Sequence, residues 1–433
     1  MQIPLETLEK EGFWCGNSLC WLIGLWLPQV YIKYDAEMQV KMRLLYISKY
    51  QFIKKEDGVY ALPAYGDAFW QKYLDVFDGV DVLAEQVKGY LNNGTLAKIT
   101  DERISVSILP ENTNPKDFVN DKKIKKELAE HISRAEAILI KPANRKGMQA
   151  IAIAKKMHKP YMVELTGDLN LTLRNHKNLL KRLYGPIIHR QTLRAIKDCR
   201  FGLYVTEEYL QKVYPIAGKQ CGCTDTFIPD PNPIALQKRI EKIEARNADS
   251  DTHIGLVASY HDSRKGIDTA IEALQIINKP NVFLHILGLG TEEDRQQWFK
   301  YADEKGVRSQ LYFDPSLSGV EKVLAWNDNM DIIILPSRSE GLPRCIVESL
   351  SRACPCVLSD VCGLPELVNH KWLHKPGDAD KLAELLLLMI NDKEAMLYSA
   401  KENFNHSFDY TREALRFKRN DFLAAFRVYC ENK

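Results

Sequence analysis

The 433-residue sequence predicts an α/β protein built on two doubly wound parallel sheets. Three observations carry that expectation. Short apolar runs alternate with segments of helical spacing through both halves of the chain. A stretch with three prolines in six residues, Ile228-Pro-Asp-Pro-Asn-Pro233, separates the halves. The run Ile332–Leu335 is apolar at every position, as a parallel strand covered on both faces must be. With 45% hydrophobic residues, a chain of this length can bury two cores.

Residues 1–41 read as an N-terminal extension, because Met42-Arg-Leu-Leu-Tyr-Ile-Ser48 resembles a chain start followed at once by a buried strand. Phe13 to Tyr31 carries no charge and includes Trp14, Trp21 and Trp26, and it is about the length of a membrane span. Gly16, Asn17, Ser18, Gly24, Pro28 and Gln29 weaken it as a span. The basic leader and small-residue cleavage site of a signal peptide are missing. A non-native or upstream-translated extension, an interfacial anchor and a spanning helix all stay open.

The first domain is expected over residues 42–229. Its strands are Leu44–Ser48, Val80–Ala84, Ile104–Ile108, Ala137–Ile140, Tyr161–Glu164 and Phe201–Val205. Helices fall at Asp67–Phe77, Asp121–Arg134 and Gly147–Met157. The triple-proline stretch is the hinge, since proline continues neither a strand nor a helix, and the charged run Lys238–Arg246 behind it reads as solvated. The second domain is expected over residues 230–410. Its strands are Ile254–Ala258, Val282–Leu287, Leu311–Phe313, Asp331–Leu335 and Cys356–Leu358, each followed by a helix. A last amphipathic helix, Thr411–Tyr429, takes its apolar face from Ala414, Leu415, Phe422, Leu423 and Phe426 and lies within a closing unit, residues 411–433.

Chemistry concentrates in Asp331–Glu348. Pro336 ends the apolar strand, Gly341 lets the backbone approach a ligand, and Pro343 suits the first turn of a helix. Strand, glycine turn and helix N-terminus together make an anion site. Glu340 lies at its mouth, and Glu348 lies within the helix. Two carboxylates beside a phosphate pocket suit a ligand with hydroxyls on both sides of its phosphates, and a nucleotide sugar is such a ligand.

This segment resembles the signature of the retaining family 4 glycosyltransferases of the GT-B fold: Pro-Ser, then Glu-Gly-(Leu/Phe)-Pro, with a second Glu eight residues after the first. The resemblance implies two Rossmann-like domains facing across a cleft, with the last helix crossing back onto the first domain. It implies that Glu340 contacts the donor sugar, that Glu348 holds the ribose, and that the backbone of Gly341, Leu342 and Pro343 surrounds sugar and diphosphate. Ser259-Tyr-His-Asp-Ser-Arg-Lys265-Gly266 resembles the family's diphosphate clamp. Lys265 and Gly266 match, whereas Tyr260 stands where the family has arginine; Arg264 can substitute through a two-bond grip on phosphate. Gly288-Leu-Gly290 matches a glycine turn of the family, and Gly363-Leu-Pro-Glu366 a later segment in which Glu366 reads as structural.

The acceptor side is thinner. Lys54-Lys-Glu-Asp-Gly58 holds the place of the family's glycine-rich loop with one glycine, so Gly58 is expected to bring backbone close to donor and acceptor. Thr166 replaces a usual histidine, and Asp168 reads either as orienting an acceptor hydroxyl or as a helix cap. Between Asp168 and Asp198 there is no acidic residue. Arg174, Lys177, Lys181, Arg182, Arg190, Arg194 and Lys197, with His176 and His189, are interleaved there with Leu179, Leu180, Leu183, Ile187 and Ile188. Such a basic amphipathic stretch, residues 174–197, reads as an anionic membrane surface site or as a solvated face. Nucleic acid is not an expected partner, because the aromatic interleaving of a single-strand reader is nearly absent.

The function expected is transfer of a sugar, with retention, from a nucleoside-diphosphate sugar to a saccharide or lipid-linked saccharide, at the inner face of a bacterial membrane from a cytoplasmic or peripheral position. No cofactor is expected. The sequence has no Asp-x-Asp metal motif at a strand end, and the Cys221/Cys223 and Cys354/Cys356 pairs lack the partners of a metal site, so metal independence is expected. The competing readings are a nucleotide-sugar epimerase on a related fold, which the Glu340 segment disfavours, and a non-catalytic partner protein, which Tyr260 and Thr166 keep open.

Overall fold

The structure is a computed structural model that describes residues 41–86, 96–109, 118–142, 144–174 and 178–433. The extension over residues 1–40, and His176 and Lys177 of the basic stretch, lie outside the described residues. The first sheet's elements are β1 (Arg43–Lys55), β2 (Gly58–Ala61), α1 (Asp67–Leu74), β3 (Gly79–Gln86), β4 (Ala97–Lys98), β5 (Ile104–Leu109), α2 (Phe118–Arg134), β6 (Ala137–Ile140), α3 (Arg145–Lys156), β7 (Tyr161–Leu165), α4 (Leu169–Arg174), α5 (Leu179–Ile196), β8 (Phe201–Tyr204), α6 (Tyr209–Val213) and β9 (Lys219–Gly222). The second sheet follows with α7 (Pro233–Glu244), β10 (Thr252–Val257), α8 (Ile267–Ile277), β11 (Val282–Leu287), α9 (Glu292–Glu304), β12 (Leu311–Asp314), α10 (Val320–Asn329), β13 (Ile332–Leu335), α11 (Arg344–Ser351), β14 (Cys356–Ser359) and β15 (Leu373–His374). Then come α12 (Ala379–Asn391), α13 (Lys393–Ser407) and α14 (Arg412–Glu431).

The parallel strands of the first sheet run in the order β5-β3-β1-β6-β7-β8-β9, and the second sheet runs β12-β11-β10-β13-β14-β15. Each order reverses once, between β1 and β6 and between β10 and β13. At such a point successive crossovers leave to opposite faces, and a crevice opens beyond the strands' carboxyl ends. Topology therefore places one crevice beside Ser48 and Lys141 and the other between Lys265 and Glu340.

The loop expected after the first strand is strand instead. β1 continues through a register irregularity after Ile47 to Lys55, then pairs with β2 in an antiparallel hairpin. Gly58 lies at that turn with φ +146°, which explains its glycine, and Lys98 packs over it. The charged run Lys238–Arg246 also differs from expectation. Arg239 is buried and donates to the carbonyls of Met330, Asn327 and Arg352, riveting α7 to the second sheet. Lys242 and Arg246 both pair with the buried Asp331.

Helix α14 packs Leu415, Phe422, Leu423 and Phe426 into the core of the first sheet. Burying each such side chain stabilises by roughly 1.5–3 kcal/mol. At the crossing, Ile228 and Thr411 form a bridge, so the two chain segments between the sheets run side by side. Asn232 caps α7, whose first residue is Pro233.

Candidate functional site

The loop after β10 and the loop after β13 meet at the second sheet's crevice. Gly266 adopts φ +73°, and a β-carbon there would lie 2.1 Å from the Pro336 carbonyl oxygen, so only glycine lets these loops touch. Lys265 Nζ lies 2.7 Å from Glu340 Oε1, and Ser337 Oγ donates to the same oxygen at 2.7 Å. Burial works against the Lys265 charge, but the Glu340 carboxylate outweighs it and raises the lysine's pKa. The ammonium is thus held protonated at the mouth of the crevice.

Eight residues on, α11 carries Glu348, only 6% exposed. Arg344 Nε donates to its Oε1 at 2.8 Å. Burial raises the Glu348 pKa despite Arg344. Pro343 is the cap residue of α11, one position earlier than its expected place in the first turn. Gly341 faces the first sheet, where its missing β-carbon would lie 3.0 Å from the Thr166 carbonyl oxygen. Leu342 packs against the second core.

Ser259, half-buried, accepts from the Asp262 N–H within the Lys265 loop. Gly288 is required by packing: a β-carbon would collide with the Ala258 carbonyl oxygen at 1.9 Å. Tyr260, at the position of the missing arginine, turns into the core against Phe313 and Gly290. Arg264 donates Nε and Nη2 to Asp262, so the fork that would grip phosphate is occupied by a neighbouring carboxylate. Arg264 is thus engaged within its own loop, while Lys265 stands at the crevice beside Glu340.

Asp168 does not present a free carboxylate to an acceptor. It caps Leu171 and accepts from the hydroxyls of Tyr214 at 2.8 Å and Tyr209 at 3.0 Å. Glu366 crosses between the sheets. Its carboxylate accepts from the N–H groups of Glu207, Glu208 and Tyr209 at 2.6–3.0 Å, at the start of α6. Glu366→Ala is expected to lower stability by about 1–2 kcal/mol, the loss of a helix cap, measured by denaturant unfolding.

Sequence reasoning missed the first sheet's crevice. Lys141, next after β6, donates to Tyr50 Oη at 2.6 Å and lies 3.5 Å from Glu164 Oε1 on β7. Tyr46 Oη donates to Glu164 at 2.8 Å. Burial opposes the Lys141 charge, yet Glu164 raises its pKa well above that of a free lysine. Tyr50 stacks on Tyr65 and meets Phe69 edge-on. A cavity of about 880 Å³ elsewhere, beside His253 and Asp331, is lined by neither Lys265, Glu340 nor Glu348. Among the described residues no cluster of His, Cys, Asp and Glu could hold a metal.

Residues 238–405 match the family model described as glycosyl transferases group 1. Protein CapJ of Staphylococcus aureus is 26% identical over 389 residues, 89% of this chain and 96% of that protein. The amylovoran biosynthesis glycosyltransferase AmsK of Erwinia amylovora is 31% identical over 135 residues, 29% of this chain and 32% of its own. Two solved structures superpose over nearly the whole chain. Sucrose-phosphate synthase of Thermosynechococcus elongatus has a TM-score of 0.63 at 13% identity, covering 90% of this chain and all of that one. HepE of Anabaena in complex with UDP-glucose has a TM-score of 0.58 at 15% identity, covering 89% and 100%.

Proposed function

We propose, this chain being a glycosyltransferase of the GT-B fold, that it moves a sugar with retention from a nucleoside-diphosphate sugar to a saccharide or lipid-linked saccharide in polysaccharide synthesis. The observation that carries the donor half is the Lys265–Glu340 pair at the second sheet's crevice, with Glu348 eight residues further along. Lys265 supplies charge to the diphosphate, Glu340 meets the sugar, and the Glu348 oxygen not held by Arg344 accepts from ribose hydroxyls. The bond from the sugar's anomeric carbon to the diphosphate oxygen breaks as the acceptor oxygen bonds to that carbon on the same face. The acceptor proton passes to the departing phosphate oxygen. Stabilising the charge on the leaving group is the main catalytic contribution of the protein. The UDP-glucose bound in HepE and the amylovoran role of AmsK support this class of donor and product.

A melting scan with nucleoside diphosphates and nucleotide sugars tests the donor site. Ligand at a hundred times its Kd stabilises by about 2.7 kcal/mol, so one of them is expected to raise the Tm clearly. A Tm unmoved by every one overturns the reading.

The second part of the proposal is peripheral attachment to an anionic bilayer through the start of α5. Every residue from Asn178 to Tyr184 is exposed, including Leu179, Leu180 at 76%, Leu183 and Tyr184, with Ile187 a turn further on. Apolar side chains do not stand together in water without a partner surface. Arg182, Arg190 and Arg194 on the same helix favour anionic lipid, at about 1 kcal/mol for each cation near the surface. No described helix is long and apolar enough to cross a membrane. Leu180→Ser with Leu183→Ser is expected to abolish co-sedimentation with phosphatidylglycerol vesicles and to leave the Tm unchanged. Undiminished sedimentation would refute the attachment.

A further inference from the structure

A pocket of about 270 Å³ lies between α1, the segment after β9 and α14, apart from the Lys265–Glu340 crevice. Phe69 and Phe227 form apolar walls. Lys72, Arg412, Arg416 and Arg419 face it with Asp75 and Asp225, four cations against two carboxylates. Two of those cations, Lys72 and Arg419, share Asp225, and Arg416 grips Asp75. Arg412 stacks over the Phe227 ring at 4.2 Å and makes no ion pair among the described residues.

Two buried atoms of this lining lack any hydrogen-bond partner: Arg419 Nε, a donor, and Asn420 Oδ1, an acceptor. Arg419 is only 6% exposed, and its Nη2 is already engaged by the Thr224 carbonyl. An orphaned guanidinium N–H in a buried site is costly until an acceptor arrives. Such a site therefore asks for an anion that also carries a hydroxyl. We propose that the pocket binds an acidic sugar, its carboxylate or phosphate taken by Arg419 Nε and Arg412, and a ring hydroxyl donated to Asn420 Oδ1. The ring's apolar face covers Phe227 or Phe69. A uronic acid and a sugar phosphate offer the same anion-plus-hydroxyl chemistry.

The pocket also has a place in the reaction. Asp225 follows the carboxyl end of β9, and Phe69, which walls the pocket, meets the ring of Tyr50 edge-on at 5.6 Å, beside the first sheet's crevice. An acidic residue of the acceptor held here would extend toward that crevice. That role rests on the transferase reading, whereas binding of the charged sugar does not.

Calorimetric titration of the full chain with glucuronate, glucose 6-phosphate and glucose tests the proposal, with uridine diphosphate titrated in parallel. Saturable binding of one charged sugar and none of glucose is expected, and whichever sugar binds identifies carboxylate or phosphate as the anion. Arg412→Ala, on an exposed side chain, is expected to weaken that binding at least tenfold with an unchanged Tm and unchanged uridine diphosphate titration. Asn420→Ala, which removes the acceptor for the hydroxyl, is expected to weaken it too. Absence of saturable binding by both charged sugars overturns the proposal. Equal binding by Arg412→Ala, or displacement of the sugar by uridine diphosphate, does the same. The nucleotide melting scan, run on the same protein, reports on the donor site separately.

Discussion

Lys265→Met is expected to lower kcat for sugar transfer by about 10²–10³-fold while the chain stays folded, the typical effect of removing one group aimed at charge that develops in the transition state. Methionine keeps the length of the side chain and removes only the ammonium. In the structure that ammonium is held charged by Glu340, 2.7 Å away, at the one point where the second sheet's strand order reverses. Arg264 cannot compensate, because its Nε and Nη2 are committed to Asp262. The substitution also leaves Glu340 with the Ser337 Oγ hydrogen bond and an uncompensated negative charge beside the expected diphosphate. KM for the donor is therefore expected to rise along with the fall in kcat, and Lys265→Arg should recover part of both. Steady-state kinetics with a melting curve checks this; wild-type kcat in a folded Lys265→Met protein would remove Lys265 from the mechanism.

Lys265 and Glu340 were legible because their signal is local. An all-apolar strand, a proline stop, a glycine and a helix with a carboxylate occupy eighteen consecutive residues, and the physics of a strand–turn–helix crevice connects them. Central strand positions were legible for the same reason, since buried parallel strands read as apolar runs, whereas the edge strands β9 and β15 carry no such run and were missed. The first sheet's crevice was not legible. Lys141, Tyr50 and Glu164 come together from the end of β6, from β1 and from β7, and each alone resembles an ordinary residue beside an apolar run. Asp168 looked available because its partners, Tyr209 and Tyr214, lie more than forty residues away. The solvated reading of Lys238–Arg246 failed at Arg239, whose three carbonyl partners come from the last turn of α10 and from the residues just after α10 and α11. Helical spacing could identify α5 as amphipathic, but only packing reveals that its first two turns expose the leucines.

Gly266→Ala is expected to cost about 3–4 kcal/mol of stability, and Gly306→Ala, its control, about 1–2 kcal/mol. Both glycines have φ +73°, so a β-carbon strains the backbone equally at each. They differ in what that carbon meets. At Gly306 there is nothing within 4 Å, whereas at Gly266 the Pro336 carbonyl oxygen lies at 2.1 Å and belongs to backbone, which cannot swing aside as a side chain would. The difference between the two variants, read from denaturant unfolding, isolates the contact between the loops after β10 and β13. That contact also sets the register of the site, because Lys265 precedes Gly266 and Ser337 follows Pro336. A shift of even an ångström breaks the hydrogen bonds that Lys265 and Ser337 make to Glu340. Gly266→Ala is therefore expected to lose nucleotide-dependent stabilisation as well as stability, and Gly306→Ala to keep it. Equal nucleotide responses in the two variants would mean that the loops reach their liganded geometry without the close approach that only glycine permits.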